Sequence, residues 1–368
     1  MFENLVPRDA IVFSTWDWGT FNVPERVALA LVSRGFRILY CEMPTSRFRR
    51  RSGALREVHS DVHAFGPEYL GEKFDLFPMI GTWQWKSVAR QIERQANLLG
   101  MKSPPFFYSH VERLAPLCRE MRTQGSRLIH ICMDYPEPYQ YELIALSDLT
   151  LTIPNTVFVK LRARYGEKIR SIPQSIHVPF ATLPNDGLCP VPSELADIPG
   201  PRLGYLGPIH ARLNLSLLRE VLACHPDWQF ACFGDASALR LPNVHRSGWR
   251  RPEDLPAYIA SLDVGVMPYD CFEEKNLHCV PLKMLDYFLA GLPVVSTPVL
   301  SLSEFSGLVY LGDTAIEFAH AIEAALAEPL TSSKRERRIA VARAHSTDAL
   351  GQRIEEALSL GARPVSET

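Results

Sequence analysis

Apolar positions recur along this chain in two alternating rhythms. Short runs such as "AIVFSTW" (10–16), "FRILYCEM" (36–43), "PPFFYSH" (104–110), "RLIHICMD" (127–134) and "LTLTIP" (149–154) are strand-like. Between the first two, "PERVALALVSRG" (24–35) has helical spacing, with Pro24 near its start and Gly35 at its end, the order helices prefer. Strand and helix in alternation predict a parallel sheet wrapped by helices. From about residue 201 the rhythm restarts with "PRLGYLG", a helix from about 213, "WQFACFGD", "NVHRSGW", the helical "RPEDLPAYIASL" (251–262), "DVGVMPY" and "PVVS" (293–296). Between the halves, "ATLPNDGLCPVPSELADIPGP" carries five prolines and little periodicity, which reads as a connector. The expected organisation is a first domain over 1–180, a linker over 181–201 and a second domain over 202–345. The amphipathic tail from 346 to 368, part of the helical stretch "SKRERRIAVARAHSTDALGQRIEEALSLG", is expected to cross back to the first domain.

A length of 368 residues suits two such domains, each able to bury its own core. Two open parallel sheets facing one another would turn their strand carboxyl ends toward a shared cleft, where ligands of such sheets bind. The net charge of −2 gives no general pull toward nucleic acid, and a nucleic-acid partner is not expected. No run of 18 apolar residues occurs, and the first residues lack a basic start followed by an apolar core, so a cytoplasmic protein is expected. Several of the eight cysteines sit in apolar runs ("ILYCEMP", "LIHICMD", "WQFACFG") and read as small buried hydrophobes. No C-x-x-C is present, and no two aspartates lie two residues apart; "HSDVH" alternates like a strand. No metal site and no resident cofactor are expected.

The segment "KNLHCVPLKMLDYFLAGLPVVSTP" (275–298) carries the most specific chemistry. Pro281 suits the first position of a short helix that ends at Gly291. The amides of Leu282 and Lys283 would then have no partner within the helix and, with the positive end of the helix dipole, would favour an anion such as a diphosphate. Lys283 adds a point charge. Asp286, three residues on and on the same face, could accept hydrogen bonds from two neighbouring ribose hydroxyls. The alternative is an exposed Lys283–Asp286 ion pair.

With these motifs in order, "RLGYLGPIHARLNLSLLREVLACHPDWQFACFGD", "LPNVHRSGWRRPEDLPAYIASLDVGVMPY" and "NLHCVPLKMLDYFLAGLPVVSTP" resemble the donor-binding half of GT-B fold glycosyltransferases, closest to family 4 (glycosyl transferases group 1). The resemblance covers about residues 200 to 330; "FSTWDWGTFNVPERVALALVSRGFRILYCEMP" is more loosely similar to the opening of that fold. It implies two Rossmann-like doubly wound domains and transfer of a sugar from a UDP- or GDP-linked donor, which is a co-substrate and not a cofactor. Asp286 stands where family members have the second glutamate of an E-x7-E motif, and His278 where they have the first. A proline-leucine-lysine turn in some subgroups implies a phosphate contact for Lys283. Gly207 ends the "GYLG" strand. Arg212 sits near the basic residue that neutralises the leaving diphosphate, while Pro208 replaces a second one. Trp249 and Arg250 match the loop that borders the nucleobase, and Asn276 with His278 falls in the donor segment.

On the first half, Asp134 is the candidate base or acceptor contact, with a helix N-cap as its alternative. His110 has the same strand-end geometry, and a capping or internally satisfied histidine is its alternative. Asp17, Gly19 and Asn22 in "STWDWGTFNVPER" are candidate substrate contacts, against loop packing by Trp16 and Trp18. The basic stretch from Arg47 to Arg56, followed by Trp83 and Trp85, reads either as a contact with a membrane inner face or an anionic acceptor, or as a solvated loop. The expected activity is a metal-independent glycosyl transfer in cell-surface polysaccharide or glycoconjugate synthesis. A nucleotide-sugar epimerase of the same fold and a noncatalytic nucleotide- or glycan-binding protein are the competing readings.

Overall fold

A computed structural model describes residues 8–20, 22–46, 53–71, 73, 78–109, 111–176 and 189–360. His110, Arg47 to Arg51 and residues 181–188 of the expected linker lie outside them. The chain forms two units: residues to Pro173 together with those from Thr347 on, and Gln174–Ser346.

The first unit is built from β1 (Arg8–Phe13), α1 (Val23–Val32), β2 (Phe36–Cys41), β3 (Thr45–Ser46), β4 (Arg56–His59), β5 (Val62–Phe65), β6 (Glu68–Tyr69), α2 (Pro78–Leu98), β7 (Phe106–Tyr108), α3 (Ala115–Thr123), β8 (Leu128–Cys132), α4 (Gln140–Leu146), β9 (Leu149–Thr152), α5 (Asn155–Tyr165) and β10 (Ile169–Ser171). Its main sheet runs β10-β9-β8-β7-β1-β2-β5-β4, parallel apart from the β4–β5 hairpin. That hairpin contains "HSDVH" and turns through Asp61 at φ 63°. The central strands are buried on both faces, which explains their continuous apolar runs and the buried Cys41 and Cys132.

The second unit adds α6 (Ser193–Ala196), β11 (Arg202–Leu206), α7 (Leu215–Cys224), β12 (Gln229–Phe233), β13 (Val244–Arg246), α8 (Leu255–Ala260), β14 (Val264–Met267), α9 (Glu274–Leu277), α10 (Leu282–Leu289), β15 (Val294–Ser296), β16 (Val309–Leu311), α11 (Ala315–Leu326) and α12 (Ser333–Ala344). Its six parallel strands follow the order β13-β12-β11-β14-β15-β16, a doubly wound sheet whose order reverses between β11 and β14. The last helix, α13 (Thr347–Leu360), packs on α1 in the first unit.

Three expected elements differ. The stretch 251–262 is helical only over Leu255–Ala260, because Pro256 lacks an N–H and is tolerated only in a first turn. The long C-terminal helical stretch breaks at His345, where φ −95° and ψ 42° end α12. The described end of the expected connector, 189–201, is no free linker: α6 brings Leu195, and the turn after it Ile198, into the second unit's core. Among the described residues no helix is long and apolar enough to cross a membrane.

Candidate functional site

The reversal between β11 and β14 is where a doubly wound sheet leaves a crevice beyond its strand ends. Gly207 follows β11 at φ +114°, a conformation open to glycine and costly for residues with a side chain. Against it lies Gly234, after β12; a Cβ there would stand 2.4 Å from the Gly207 backbone, so this close approach needs glycine. Beyond β14, the Asn214 N–H donates to the Pro268 carbonyl (2.8 Å), and Leu213 bridges Tyr269. These contacts fold the loop 208–214 back over the strand ends.

Helix α10 is fixed to this floor by Tyr287. Its ring lies over Gly265, where a Cβ would come within 2.6 Å of it. Its hydroxyl accepts from the Leu206 N–H (3.0 Å) and donates to the Gly204 carbonyl (3.3 Å). Lys283 is four residues earlier on the same helical face. Its Nζ sits 3.9 Å from the centroid of the Tyr205 ring and 5.7 Å from that of Tyr269. A Cβ on Gly207 would lie 3.7 Å from the same Nζ, so the ammonium rests beside the glycine turn. Burial pulls the lysine down to about 7, with the Arg212 charge acting in the same direction and Cys279, Cys232 and Asp286 opposing it. His210 is also lowered, by burial and then by Lys283 and Arg212.

Pro281 stands one position earlier than expected. It is the N-cap, not the first helical residue, because its ψ of 113° is extended and its carbonyl already accepts the Met284 N–H (3.1 Å). Leu282 and Lys283 therefore supply first-turn amides, which have no partner within the helix. Asp286 is 5% exposed, which overturns the alternative of an exposed pair with Lys283. Arg212 is oriented by Asn276, whose Oδ1 accepts from Nε (2.8 Å), while Asn276 Nδ2 donates to the carbonyls of Asp270 (2.9 Å) and Arg212 (3.3 Å). Asn276 is fully buried and works as a bracket for this loop. His278, also buried, contacts Glu274 Oε2 through Nε2 at 3.1 Å. Gly207, Arg212, Asn276, Pro281, Leu282, Lys283 and Asp286 thus occupy one region of the second unit.

Trp249 and Arg250 are held differently. The indole is 69% exposed, and the Arg250 guanidinium pairs with Glu194 and bonds the Tyr258 hydroxyl (3.0 Å). In the first unit, Asn22 caps α1 by accepting the Glu25 N–H (3.1 Å), and the Gly19 N–H donates to Glu25 Oε2 (3.1 Å). Trp18 packs on Tyr40, ring centroids 5.1 Å apart. Asp134 is half-buried in the bend after β8 and is not an N-cap, since α4 begins at Gln140 behind Tyr139. Arg56 is an ion-pair partner of Glu42 on β4. Trp85 is 3% exposed and belongs to the core; Trp83 is 54% exposed. Sequence reasoning missed Tyr205, Tyr269 and Tyr287: aromatic residues in and beside strands read as core, and only the neighbouring "GYLG" glycines hinted that something approached closely.

Solved structures share this fold at low identity. A sucrose-phosphate synthase from Thermosynechococcus elongatus aligns with a TM-score of 0.71 at 15% identity, covering 96% of this chain and 98% of that one. HepE from Anabaena, solved with UDP and glucose, aligns at 0.68 and 14% identity over 95% and 99%. The fold is therefore that of the GT-B glycosyltransferases. Within it, residues 200–328 match the family described as Glycosyl transferases group 1. TuaH of Bacillus subtilis, assigned as a glycosyltransferase of teichuronic acid biosynthesis, is 34% identical over 165 residues, 41% of this chain and 41% of that protein. These likenesses are all to glycosyltransferases, and the match to TuaH spans less than half of either protein.

Proposed function

We propose that the protein transfers a sugar from a UDP- or GDP-linked donor to a carbohydrate or lipid-linked acceptor in cell-surface glycan synthesis, without a metal ion. The observation that carries this reading is the Lys283 ammonium lodged between the Tyr205 ring and Gly207 at the strand-order reversal, with Arg212 close enough to depress its pKa. The Lys283 ammonium and the Arg212 charge that depresses it make a good receptor for a diphosphate. Breaking the sugar–phosphate bond leaves negative charge on the diphosphate, and prepositioned cations and helix-start amides stabilise it as it develops. In this scheme Asp286 receives the ribose hydroxyls, the Trp249–Arg250 loop borders the base, and Asp134 serves the acceptor side. The similarity to TuaH supports the cell-surface role, and the UDP and glucose bound to HepE support the donor class. Peripheral membrane contact is proposed through α2, where exposed Met79, Ile80 and Trp83 precede Lys86, Arg90 and Arg94.

Calorimetric titration with UDP, GDP and ADP tests the donor site and identifies the base together. Lys283→Ala is expected to weaken UDP binding at least about tenfold while changing uridine binding by less than about threefold, as loss of a charge-assisted phosphate contact requires. Equal losses for both ligands would contradict the assignment.

A further inference from the structure

A buried ion pair stands at the C-terminal end of α10, two helical turns from Lys283. Arg338 on α12 is fully buried, and Glu328, just past the end of α11, has a side chain 6% exposed. The guanidinium holds both carboxylate oxygens: Nη1 donates to Oε2 (3.1 Å) and Nη2 to Oε1. The Tyr310 hydroxyl on β16 and the Ser332 hydroxyl at the start of α12 donate to the same carboxylate (2.8 and 2.9 Å). Burial raises the Glu328 carboxyl, but these donors together bring it below its ordinary value. Glu328 is therefore a fixed anion, and it fixes Arg338.

Stability alone is a weak reason for such a pair, because desolvating two charges offsets most of their attraction and apolar residues of similar volume often do as well or better. An apolar pair could not, however, bond the backbone of α10. Arg338 Nη2 also donates to the Gly291 carbonyl (3.3 Å), immediately beyond the end of that helix. Gly291 has φ +75°, and a Cβ there would stand 2.8 Å from Arg335 Nε, so glycine lets α12 close on this end. Tyr287 ties the body of α10 to β11, and Arg338 ties its end to α12. Two anchors define the direction of a short rod, which one cannot. Lys283 lies eight residues before Gly291, about 12 Å along the helix, so a tilt at the far end displaces its ammonium.

We infer that Arg338, fixed by Glu328, is a positioning residue: through the Gly291 carbonyl it sets the direction of α10 and so holds the Lys283 ammonium against Tyr205 and Gly207. Its consequence for UDP binding rests on the proposed function; the placement of Lys283 does not.

The test separates position from stability in the full-length protein. Lys283 is half-buried and open to a small reagent, so trace acetylation against pH, read on the peptide that carries it, gives its titration midpoint without any nucleotide. The groups facing it are Cys232 from β12, Cys279 before α10, His210 and Arg212 from the loop after β11, and Asp286 of its own helix, with the Tyr205 and Tyr269 rings; the variants alter none of them. Arg338→Met strands a buried carboxylate and is expected to lower the urea midpoint by about 1 M or more. It should also move the Lys283 midpoint up by about half a pH unit or more, as the ammonium leaves its site for water, and weaken UDP at least about fivefold while changing uridine less than about twofold. Glu328→Gln combined with Arg338→Met removes the buried charge and keeps an acceptor for Tyr310 and Ser332. That pair is expected to recover at least about half of the urea midpoint while the Lys283 shift and the UDP loss persist. If both return together with stability, or if Lys283 titrates as in the wild type in either variant, Arg338 only supports the fold and the inference fails. A wild type that does not bind UDP, with the Lys283 shift still present in the variants, would instead overturn the donor reading and leave the positioning role standing.

Discussion

At the residue scale, burying the Lys283 ammonium costs the protein stability, and under the proposed function a diphosphate would offset that cost. A lysine in an unfolded chain titrates near 10.4, whereas burial holds this one at about 7. The cost of keeping it protonated in the fold is fully present below pH 7 and is lost as pH rises from 7 toward 10, where the unfolded chain also sheds the proton. Lys283→Met is therefore expected to stabilise the unliganded protein by about 1 to 3 kcal/mol near pH 6, after discounting for partial exposure, and by progressively less toward pH 10. Urea denaturation at the two pH values checks this; equal gains at both would show that packing, not charge, is responsible. Under the proposed function, a bound diphosphate would add counter-charge and return the lysine toward its ordinary value. Binding at about pH 8 should then take up a proton, and affinity should fall by up to about tenfold per pH unit above 7. Titration in two buffers of different ionisation enthalpy measures that uptake directly. The sequence exposed Lys283 and Asp286 through their spacing after Pro281. It could not expose Tyr205, because nothing local distinguishes a core tyrosine from one that receives an ammonium on its face.

At the scale of elements, α10 is positioned by the pairing of Tyr287 with two glycines of adjacent strands, Gly204 and Gly265, which are register partners. Gly265 leaves room for the ring, and the hydroxyl joins the end of β11 to the helix. Tyr287→Phe would leave the buried Leu206 N–H without this acceptor, at an expected cost of about 1 to 3 kcal/mol in stability. Because Lys283 lies one turn away, the same variant is expected to weaken UDP binding as well, and isothermal titration alongside thermal melts separates the two effects. A stability loss with intact UDP affinity would show that α10 is placed by its apolar face alone. Strand and helix identities here were legible because parallel strands leave apolar runs and α1 carries its own proline and cap. Helix limits were less so: the start of α8 is dictated by Pro256, and Pro281 acts by the carbonyl it offers, not by the N–H it lacks.

At the scale of the whole molecule, the chain leaves the first unit after Pro173 and returns to it at Thr347, so the first unit is completed by the end of the sequence. The return is tightly packed. A Cβ on Gly351 would stand 2.3 Å from the Ala30 carbonyl oxygen, which lets α13 approach α1 closely, and Leu350, Ile354 and Ala357 are buried. Around them Arg34 Nε pairs with Glu355 (2.9 Å), Arg34 Nη1 reaches Asp348 (3.3 Å), and Arg8 also pairs with Glu355. The amphipathic tail was visible in the sequence; its packing partner was not, since contacts more than 300 residues apart leave no local signal. Ending the chain after Ser346 would strip the apolar cover from α1, at an expected cost of about 3 to 6 kcal/mol to the first unit, most of it from two large aliphatic side chains. The second unit keeps its own core, which includes Tyr205 and Tyr287, with Lys283 beside Tyr205. The truncated protein should therefore bind UDP within about threefold of the full chain while the first unit opens at 37 °C. Calorimetric scanning should show one transition moved to lower temperature and a second that UDP still raises. A single transition that shifts as one, with UDP binding lost in parallel, would show that the two units fold as one cooperative body and that α13 serves both.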